Sequence, residues 1–433
     1  MTQPHELDAS TLAARVRSGA LSVADIAEAL IERVTARDPE VRAYAYFDPD
    51  LVRDRARLLD SVPRKGPLHG VPVGVKDVIL TYDMPTGYNT PRYAHSRASI
   101  DAACVDTLRA AGALIAGKTV TTEFAATNRG GPTRNPLRLG HTPGGSSSGS
   151  AAAVADWQAT LGLGTQTGGS TIRPASFCGI YGWKPTWNSI SREGLKMYSA
   201  TCDTLGLYAR SAADLELLAD VFAIDAAETP VPASIGGLRI ALCRSPVWSK
   251  ALPATQAAMA EATALLRAAG AEVVDLDLPE AFDTIHESHR IILRREGRSA
   301  FLNEYRQTPD LDEEFKATVE NRAGYTAEQA RAAYRHADLC RAMWDDIASG
   351  YDLVLTPSAT GEAPLGQDLT GDASFNSMWT LLQVPVVNVP GLVGPSGLPV
   401  GISFTARRYE DRKVIAMAEL MGRLIAGRPA AAA

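Results

Sequence analysis

Apolar residues in the N-terminal part of the chain recur at every third or fourth position, which is the period of an α-helix. Ser22 and Asp25 have the spacing of a capping box and predict the start of this helix, and Asp38-Pro39 predicts its end. Residues 43–47 are a predicted strand, residues 51–61 are a predicted helix, and the apolar, β-rich run at 71–79 is a predicted strand that carries Lys76.

A regular alternation of helix and strand follows. A helix at 105–111 precedes a strand at 113–116, and a strand at 238–243 precedes a helix at 254–269 and another strand at 272–276. In both places a glycine follows the helix, as expected for a C-terminal cap. Strands separated by such helices are typical of parallel βαβ units.

Residues 280–350 form a charged and mostly helical block. Strand character returns at 353–355, 384–389 and 399–405. Neither a linker rich in Pro, Ser or Gly nor an internal repeat divides the sequence. We therefore expect one large α/β domain over residues 1–433.

Composition narrows the choice of partners and location. The 433 residues carry a formal net charge of −6, and no basic run is longer than two residues, as at Arg407-Arg408. Neither a nucleic acid nor a membrane is therefore an expected partner. The first ten residues lack the pattern of a secretory leader, and no apolar run approaches the roughly 20 residues of a membrane span. A cytoplasmic protein is expected. Its five cysteines contain no C-x-x-C pair, so buried reduced thiols are expected rather than zinc ligands or disulfides.

Residues 112–119, GALIAGKT, match the P-loop pattern G-x-x-x-x-G-K-[ST]. A P-loop needs a strand before its first glycine and a helix that opens at its lysine. Here a helix precedes Gly112, and the interior of the motif is apolar and strand-like. A helix cap followed by a buried strand is the favoured interpretation, and Lys118 as a nucleotide ligand is the alternative.

Residues 145–149, GSSSG, also match the nucleophile elbow G-x-S-x-G, with Ser147 as the nucleophile. That fold requires a later carboxylate and then a histidine. The only later histidines are His286, His289 and His336, and all three lie in the helical block. His286 and His289 are three residues apart but lack an evident third metal ligand, so a solvated helix face is the favoured interpretation.

Lys76, Ser146 and Ser170 form the more promising combination. Ser146 and Ser170 each follow a Gly-Gly pair, and glycines allow backbone N–H groups to converge on one point. A serine nucleophile must give its proton to a base. A lysine amine serves as that base only when burial lowers its pKa, and the apolar run around Lys76 provides such burial. The N–H groups of Thr167, Gly168, Gly169 and Ser170 are a candidate oxyanion hole.

The same residues lie within motifs that resemble the amidase signature family of Ser–Ser–Lys amidohydrolases. The resemblance rests on the motifs GVKD at 74–77, PGGSSSGS at 143–150, TQTGGS at 165–170, PASFCG at 174–179 and GWKPT at 182–186. Weaker similarity extends over most of the chain, to about Asp411. The motifs together are highly specific, and residues 71–190 are the catalytic signature core.

The resemblance implies Ser170 as the acyl-forming nucleophile, Ser146 as the bridging serine and Lys76 as the base. It implies a single large α/β domain with a mixed, mostly parallel sheet covered by helices on both faces. It further implies a small amide, anilide or carbamate as substrate, no metal or organic cofactor, and a homodimer as the expected assembly. Phe124 and Tyr198 are candidate pocket walls, with core packing as the alternative for each, and residues 280–350 are a candidate wall or lid.

Two departures from the family pattern concern the loop around Ser170. The family usually has aspartate where Gln166 stands. Its arginine usually lies two residues after the nucleophile, whereas Arg173 lies three residues after Ser170. This chain must therefore brace the loop differently. The glutamine-hydrolysing component of a tRNA-dependent amidotransferase, which releases ammonia for transamidation, is the alternative function. That branch generally has a glutamine between the arginine and the proline, whereas Arg173 and Pro174 are adjacent here.

Overall fold

The computed structural model describes residues 3–62, 66–308 and 310–427. In these ranges eleven strands form one sheet in the order β1-β3-β2-β4-β6-β5-β10-β11-β9-β7-β8. The strands are β1 Tyr44–Phe47, β2 Pro72–Lys76, β3 Leu114–Thr119, β4 Leu161–Gln166, β5 Tyr181–Lys184, β6 Thr204–Ala209, β7 Arg239–Leu242, β8 Glu272–Asp275, β9 Leu353–Pro357, β10 Val386–Val393 and β11 Pro399–Thr405.

Helices surround this sheet. The α-helices of the described ranges are α1 Ala9–Arg17, α2 Val23–Val41, α3 Pro49–Ser61, α4 Ala103–Ala110, α5 Ser148–Ala155, α6 Ile172–Cys178, α7 Ala212–Val221, α8 Pro253–Ala268, α9 Ile285–Ala300, α10 Leu302–Gln307, α11 Glu313–Val319, α12 Ala327–Ala348, α13 Ser374–Leu381 and α14 Asp411–Ala426. Among them, none is long and apolar enough to cross a bilayer.

Alternating strand residues belong to two different cores, one on each face of the sheet. Ile240 and Leu242 of β7 pack in the core that contains α1 to α4, α7, α8 and α14. Ala241, between them, packs in the core that contains α9, α12 and α13. The expected single α/β domain with helices on both faces is therefore confirmed.

The predicted predominance of parallel strands is wrong. Six of the ten strand pairings in the described ranges are antiparallel. The two predicted βαβ units do pair in parallel, as β2 with β3 and β7 with β8. Strand β4 pairs in parallel with β2, and β9 pairs in parallel with β7. Between them, the successive pairings of β4, β6, β5, β10, β11 and β9 are all antiparallel. No local sequence pattern predicted these non-local neighbours.

The N-terminal helix begins as predicted. The Ser22 side chain accepts a hydrogen bond from the Asp25 backbone, and the Asp25 carboxylate accepts from the Ser22 backbone, which completes the capping box. The predicted end at Asp38-Pro39 is too early, because α2 continues to Val41 and is capped by Arg42 in the left-handed conformation. A proline this close to the end removes only one of the last helical hydrogen bonds.

One face of the central strands is lined by glycines, which lets α5 and α6 approach closely. A Cβ on Gly164 would lie 2.9 Å from Ser147 Oγ, and one on Gly182 would lie 2.5 Å from the Cβ of Ala175. A Cβ on Gly206 would lie 2.0 Å from Thr171 Oγ1. Ser147 at the entry to α5, and Thr171 and Ala175 of the α6 region, are thereby held directly against β4, β5 and β6.

Candidate active site

Lys76 ends strand β2 with its amine fully buried. Its Nζ donates hydrogen bonds to Ser146 Oγ at 2.8 Å, Ser147 Oγ at 2.9 Å and Thr165 Oγ1 at 2.7 Å. All three partners are neutral hydroxyls. No ion pair of Lys76 occurs among the residues that the structure describes.

Burial lowers the pKa of Lys76 well below its ordinary value, because a charged ammonium is poorly solvated there. The negative charge of Asp203 opposes this shift. The Asp203 carboxylate instead accepts hydrogen bonds from the Thr167 hydroxyl and from the backbone of Tyr198 and Ser199. The site therefore favours a neutral lysine amine, which can accept a proton.

Ser146 and Ser147 lie in the turn that enters α5. Ser147 Oγ also contacts the backbone of Thr165, which ties this turn to the end of β4. Ser146 lines a cavity beside the site, and Ser170 lines the same cavity. The Ser147 N–H donates to the Ser170 carbonyl at 3.4 Å. The structure thus brings Lys76 and Ser146 into contact and places Ser170 beside them.

Every carbonyl of the loop 167–170 accepts a hydrogen bond. The Thr167 carbonyl is held by His289 Nε2 at 2.8 Å and the Gly168 carbonyl by Thr380 Oγ1 at 2.7 Å. The Gly169 carbonyl accepts from the Arg173 backbone N–H. The Ser170 carbonyl accepts from the Ser147 N–H and the Tyr208 hydroxyl.

The N–H groups of Gly168, Gly169 and Ser170, by contrast, donate to no acceptor in the described part of the chain. All four loop residues line the cavity. Because the carbonyls are fixed by the surrounding protein, the peptide units cannot rotate freely. The N–H groups of Gly168, Gly169 and Ser170 are therefore held in fixed positions, which is the preorganisation that an oxyanion hole requires.

Gln166 braces this loop in place of the usual aspartate. Its Oε1 accepts hydrogen bonds from the N–H groups of Thr171 at 2.9 Å and Ile172 at 3.1 Å, at the start of α6. Its Nε2 donates to Thr380 Oγ1, which in turn donates to the Gly168 carbonyl. The neutral amide of Gln166 therefore both caps α6 and supports the loop 167–170.

Arg173 supports the turn that carries Ser146. Its Nη2 donates to the Gly145 carbonyl at 2.6 Å, and its Nη1 donates to the Gly371 carbonyl at 2.6 Å. Burial lowers the pKa of Arg173 to about 10, so the guanidinium remains charged at neutral pH. Arg173 therefore holds the residue before Ser146.

The cavity has a volume of about 640 Å³ and is lined by parts of α9, α11, α13 and the segment before α13. Tyr198 lies in its wall. Phe124 does not, because it is buried in an aromatic cluster with Tyr88, Phe301 and Phe315. Core packing accounts for the position of Phe124.

The two alternative motifs have structural roles. Lys118 lies in the middle of a buried region of β3, where its Nζ donates to the Ile79 carbonyl and Thr86 Oγ1 and pairs with Asp77. No helix opens at this lysine, so the P-loop interpretation is wrong. Ser147 contacts Lys76 and Thr165 rather than a histidine, which contradicts the nucleophile elbow.

Sequence reasoning missed His289 and Thr380 as supports of the loop. It predicted His286 and His289 on a solvated helix face, whereas both line the cavity and His289 is buried. Burial lowers the pKa of both imidazoles, that of His286 to about 4. No local signal marked these positions, because their partners lie more than 90 residues away.

Replacing Gln166 with alanine is expected to lower the free energy of unfolding by about 2 kcal/mol or more, because two buried N–H groups lose their acceptor. Equilibrium denaturant unfolding measures the change. Gln307→Ala, an exposed glutamine, is the matched control and is expected to change stability by less than about 0.5 kcal/mol. Equal stability of Gln166→Ala and the wild type would contradict this role of Gln166.

Comparison with known proteins agrees with this geometry. A family model described as Amidase matches residues 25–415. The A-type chain of the glutamyl-tRNA(Gln) amidotransferase of Chloroflexus aggregans is 32% identical over 476 aligned residues, which cover 98% of this chain and 97% of that protein.

Two solved structures share the architecture. The 6-aminohexanoate cyclic dimer hydrolase, complexed with substrate, is 26% identical with a TM-score of 0.86, and the match covers 99% of each chain. The peptide amidase from Stenotrophomonas maltophilia is 27% identical with a TM-score of 0.79 and covers 98% of each chain. The chain therefore belongs to the amidase family and is an enzyme that hydrolyses amide C–N bonds.

Proposed function

We propose that this chain hydrolyses a small amide through an acyl-enzyme on Ser170, with Ser146 as the bridging residue and Lys76 as the base. The observation that carries the proposal is the buried Lys76 amine, which contacts hydroxyls and no carboxylate among the described residues. A lysine in that environment is poised to take a proton rather than to hold a charge.

The proposed proton transfers begin at the contact between Lys76 and Ser146. Neutral Lys76 accepts a proton from Ser146 while Ser146 accepts one from Ser170, and the Ser170 oxygen attacks the substrate carbonyl. The N–H groups of the 167–170 loop stabilise the oxyanion. Lys76 then returns its proton through Ser146 to the leaving nitrogen, and the C–N bond breaks. Water repeats the cycle on the Ser170 ester and releases the acid.

The cavity favours a substrate of moderate size. Its volume of about 640 Å³ lies within the range that accommodates drug-sized ligands. We assign residues 71–190 as the catalytic core and residues 280–350 as a wall of the substrate site. A stand-alone enzyme that acts on small amides, anilides or carbamates fits this cavity.

The curated relatives favour a second candidate, the glutamine-hydrolysing component of a tRNA-dependent amidotransferase. The alignment with the Chloroflexus aggregans relative covers nearly all of both proteins. It spans 476 positions although this chain has 433 residues, so that relative carries segments that this chain lacks. The shared catalytic core suits both functions, and the need for a partner distinguishes them.

A fluorophosphonate probe is expected to form a single adduct on Ser170, because this serine lines the cavity beside the proposed relay. Peptide mass mapping locates the adduct. Ser170→Ala is expected to abolish labelling and to lower kcat/KM at least about 10³-fold. An adduct on Ser147 in the wild type would contradict the assignment of the nucleophile.

The pH dependence of kcat/KM is expected to show the lowered pKa of Lys76. Activity should rise with pH as the ammonium loses its proton, and it should level off well below 10.5, since burial favours the neutral amine. Lys76→Arg, which keeps the charge but cannot act as a base, should lower activity at least about 10²-fold. An unchanged pH profile in Lys76→Ala would exclude Lys76 as the titrating base.

The purified chain alone is expected to release ammonia or amine from a panel of small neutral and carboxylate-bearing amides. The amidotransferase function instead predicts glutamine hydrolysis that requires partner proteins. Ammonia release from glutamine, measured with and without the other components of the amidotransferase, separates the two. The stand-alone function would be overturned if glutamine were the only substrate hydrolysed and if its hydrolysis required the partner proteins.

A further inference from the structure

Helix α9 presents one continuous face to the substrate cavity. His286, His289, Arg290, Leu293 and Arg294 follow one another along this helix and all line the cavity. The face runs from His289, which holds the Thr167 carbonyl, to the guanidinium of Arg294. This helix therefore connects the reacting end of the cavity with a basic region.

Basic side chains outnumber acidic ones in the cavity wall. The bases are Arg173, Lys250, Arg290 and Arg294, and the acids are Glu314 and Asp372. Burial lowers the pKa of His286 and His289, so these imidazoles are neutral at neutral pH. The lining thus carries a net positive charge.

Most of these charged groups are already engaged. Arg173 is bound to backbone carbonyls and Lys250 to Asp372 at 3.0 Å. The Glu314 carboxylate accepts from the backbone N–H of Asn128 at 2.8 Å. Arg290 pairs with Glu287, and its side chain is 61% exposed.

Arg294 is engaged along one edge only. Its Nη1 donates to Thr318 Oγ1 and to the Glu314 carbonyl, and both acceptors are neutral. Its Nε and Nη2 have no hydrogen-bond partner among the described residues, and neither atom is buried. This edge of the guanidinium carries two parallel donors, the arrangement that binds a carboxylate through two hydrogen bonds.

We propose that Arg294 binds a carboxylate of the substrate, so that the enzyme acts on amides carrying a carboxylate remote from the scissile bond. The inference rests on the proposed function and names its substrate class. The anchored contacts to Thr318 and Glu314 hold the guanidinium in place before the substrate arrives, which reduces the entropy lost on binding.

Matched substrate pairs test the proposal. On the acyl side, the 4-nitroanilide of glutaric acid is compared with that of pentanoic acid, in which a methyl group replaces the carboxylate. On the amine side, 4-acetamidobenzoate is compared with 4-methylacetanilide. Longer and shorter acyl chains extend the first pair. The kcat and KM values are measured for the wild type, Arg294→Ala, Arg294→Lys and the control Arg298→Ala, which is exposed on the same helix outside the cavity.

In at least one pair, Arg294→Ala is expected to lower kcat/KM for the carboxylate substrate about 10- to 100-fold, mainly through KM. The neutral partner and Arg298→Ala should change by less than about twofold, and Arg294→Lys should restore part of the loss. Added salt should weaken binding of the carboxylate substrate only.

The opposite results separate two kinds of failure. Equal effects of Arg294→Ala on both members of every pair, or no effect on either, would overturn the role of Arg294 and leave the amidase function intact. Absence of hydrolysis of all substrates, together with absence of a Ser170 adduct, would overturn the proposed function itself.

Discussion

Burying the Lys76 amine among hydroxyls costs free energy, because a lysine in water at neutral pH is charged and must lose either its proton or its solvation. Lys118 on the neighbouring strand β3 shows the alternative. Lys118 is equally buried, but the Asp77 carboxylate lies 3.4 Å from its Nζ. The pKa of Lys118 therefore falls only to about 8. The two lysines therefore have different roles: one forms a structural ion pair, and the other lacks a counterion close enough to keep it charged. The surrounding sheet must be stable enough to impose this environment.

The loop 167–170, which we propose as the oxyanion loop, depends on the fold in a similar way. The carbonyls of its four residues are held by groups from α6, α9, α13 and β6 and by the Ser147 N–H at the entry to α5. Gln166 at the end of β4 caps the adjoining helix. The N–H groups of the loop stay on the cavity side because each belongs to a peptide unit whose carbonyl is fixed, so the unit cannot rotate. The glycine-lined face of the sheet makes the arrangement possible, because side chains on Gly164, Gly182 or Gly206 would push α5 and α6 outward.

Local signals in the sequence predicted much of this structure. The capping box at Ser22, the parallel β2–β3 and β7–β8 pairs, and the convergence of Lys76, Ser146 and Ser170 on one region all depend on short motifs. The central antiparallel pairings were not predictable in this way, because strand neighbours in space are distant in sequence. The same reason explains why His289 and Thr380 were missed. Gln166 shows an intermediate case: its departure from the family pattern was visible, but its compensating bond to Thr380 required the tertiary structure.

The proposed catalytic residues and the proposed substrate wall occupy different parts of the chain. Lys76, Ser146 and Ser170 all lie within residues 71–190, around β2, α5, β4 and α6. The opposite wall comes mainly from α9, the start of α11 and the segment that leads into α13. A relative can therefore retain the chemistry of amide cleavage while its wall changes, because the wall contributes few groups that fix the reacting atoms. His289 is the exception, since it belongs to the wall yet holds the Thr167 carbonyl. Substitutions along α9 are thus expected to alter specificity freely except at this histidine, where a change in the wall would also disturb the oxyanion loop.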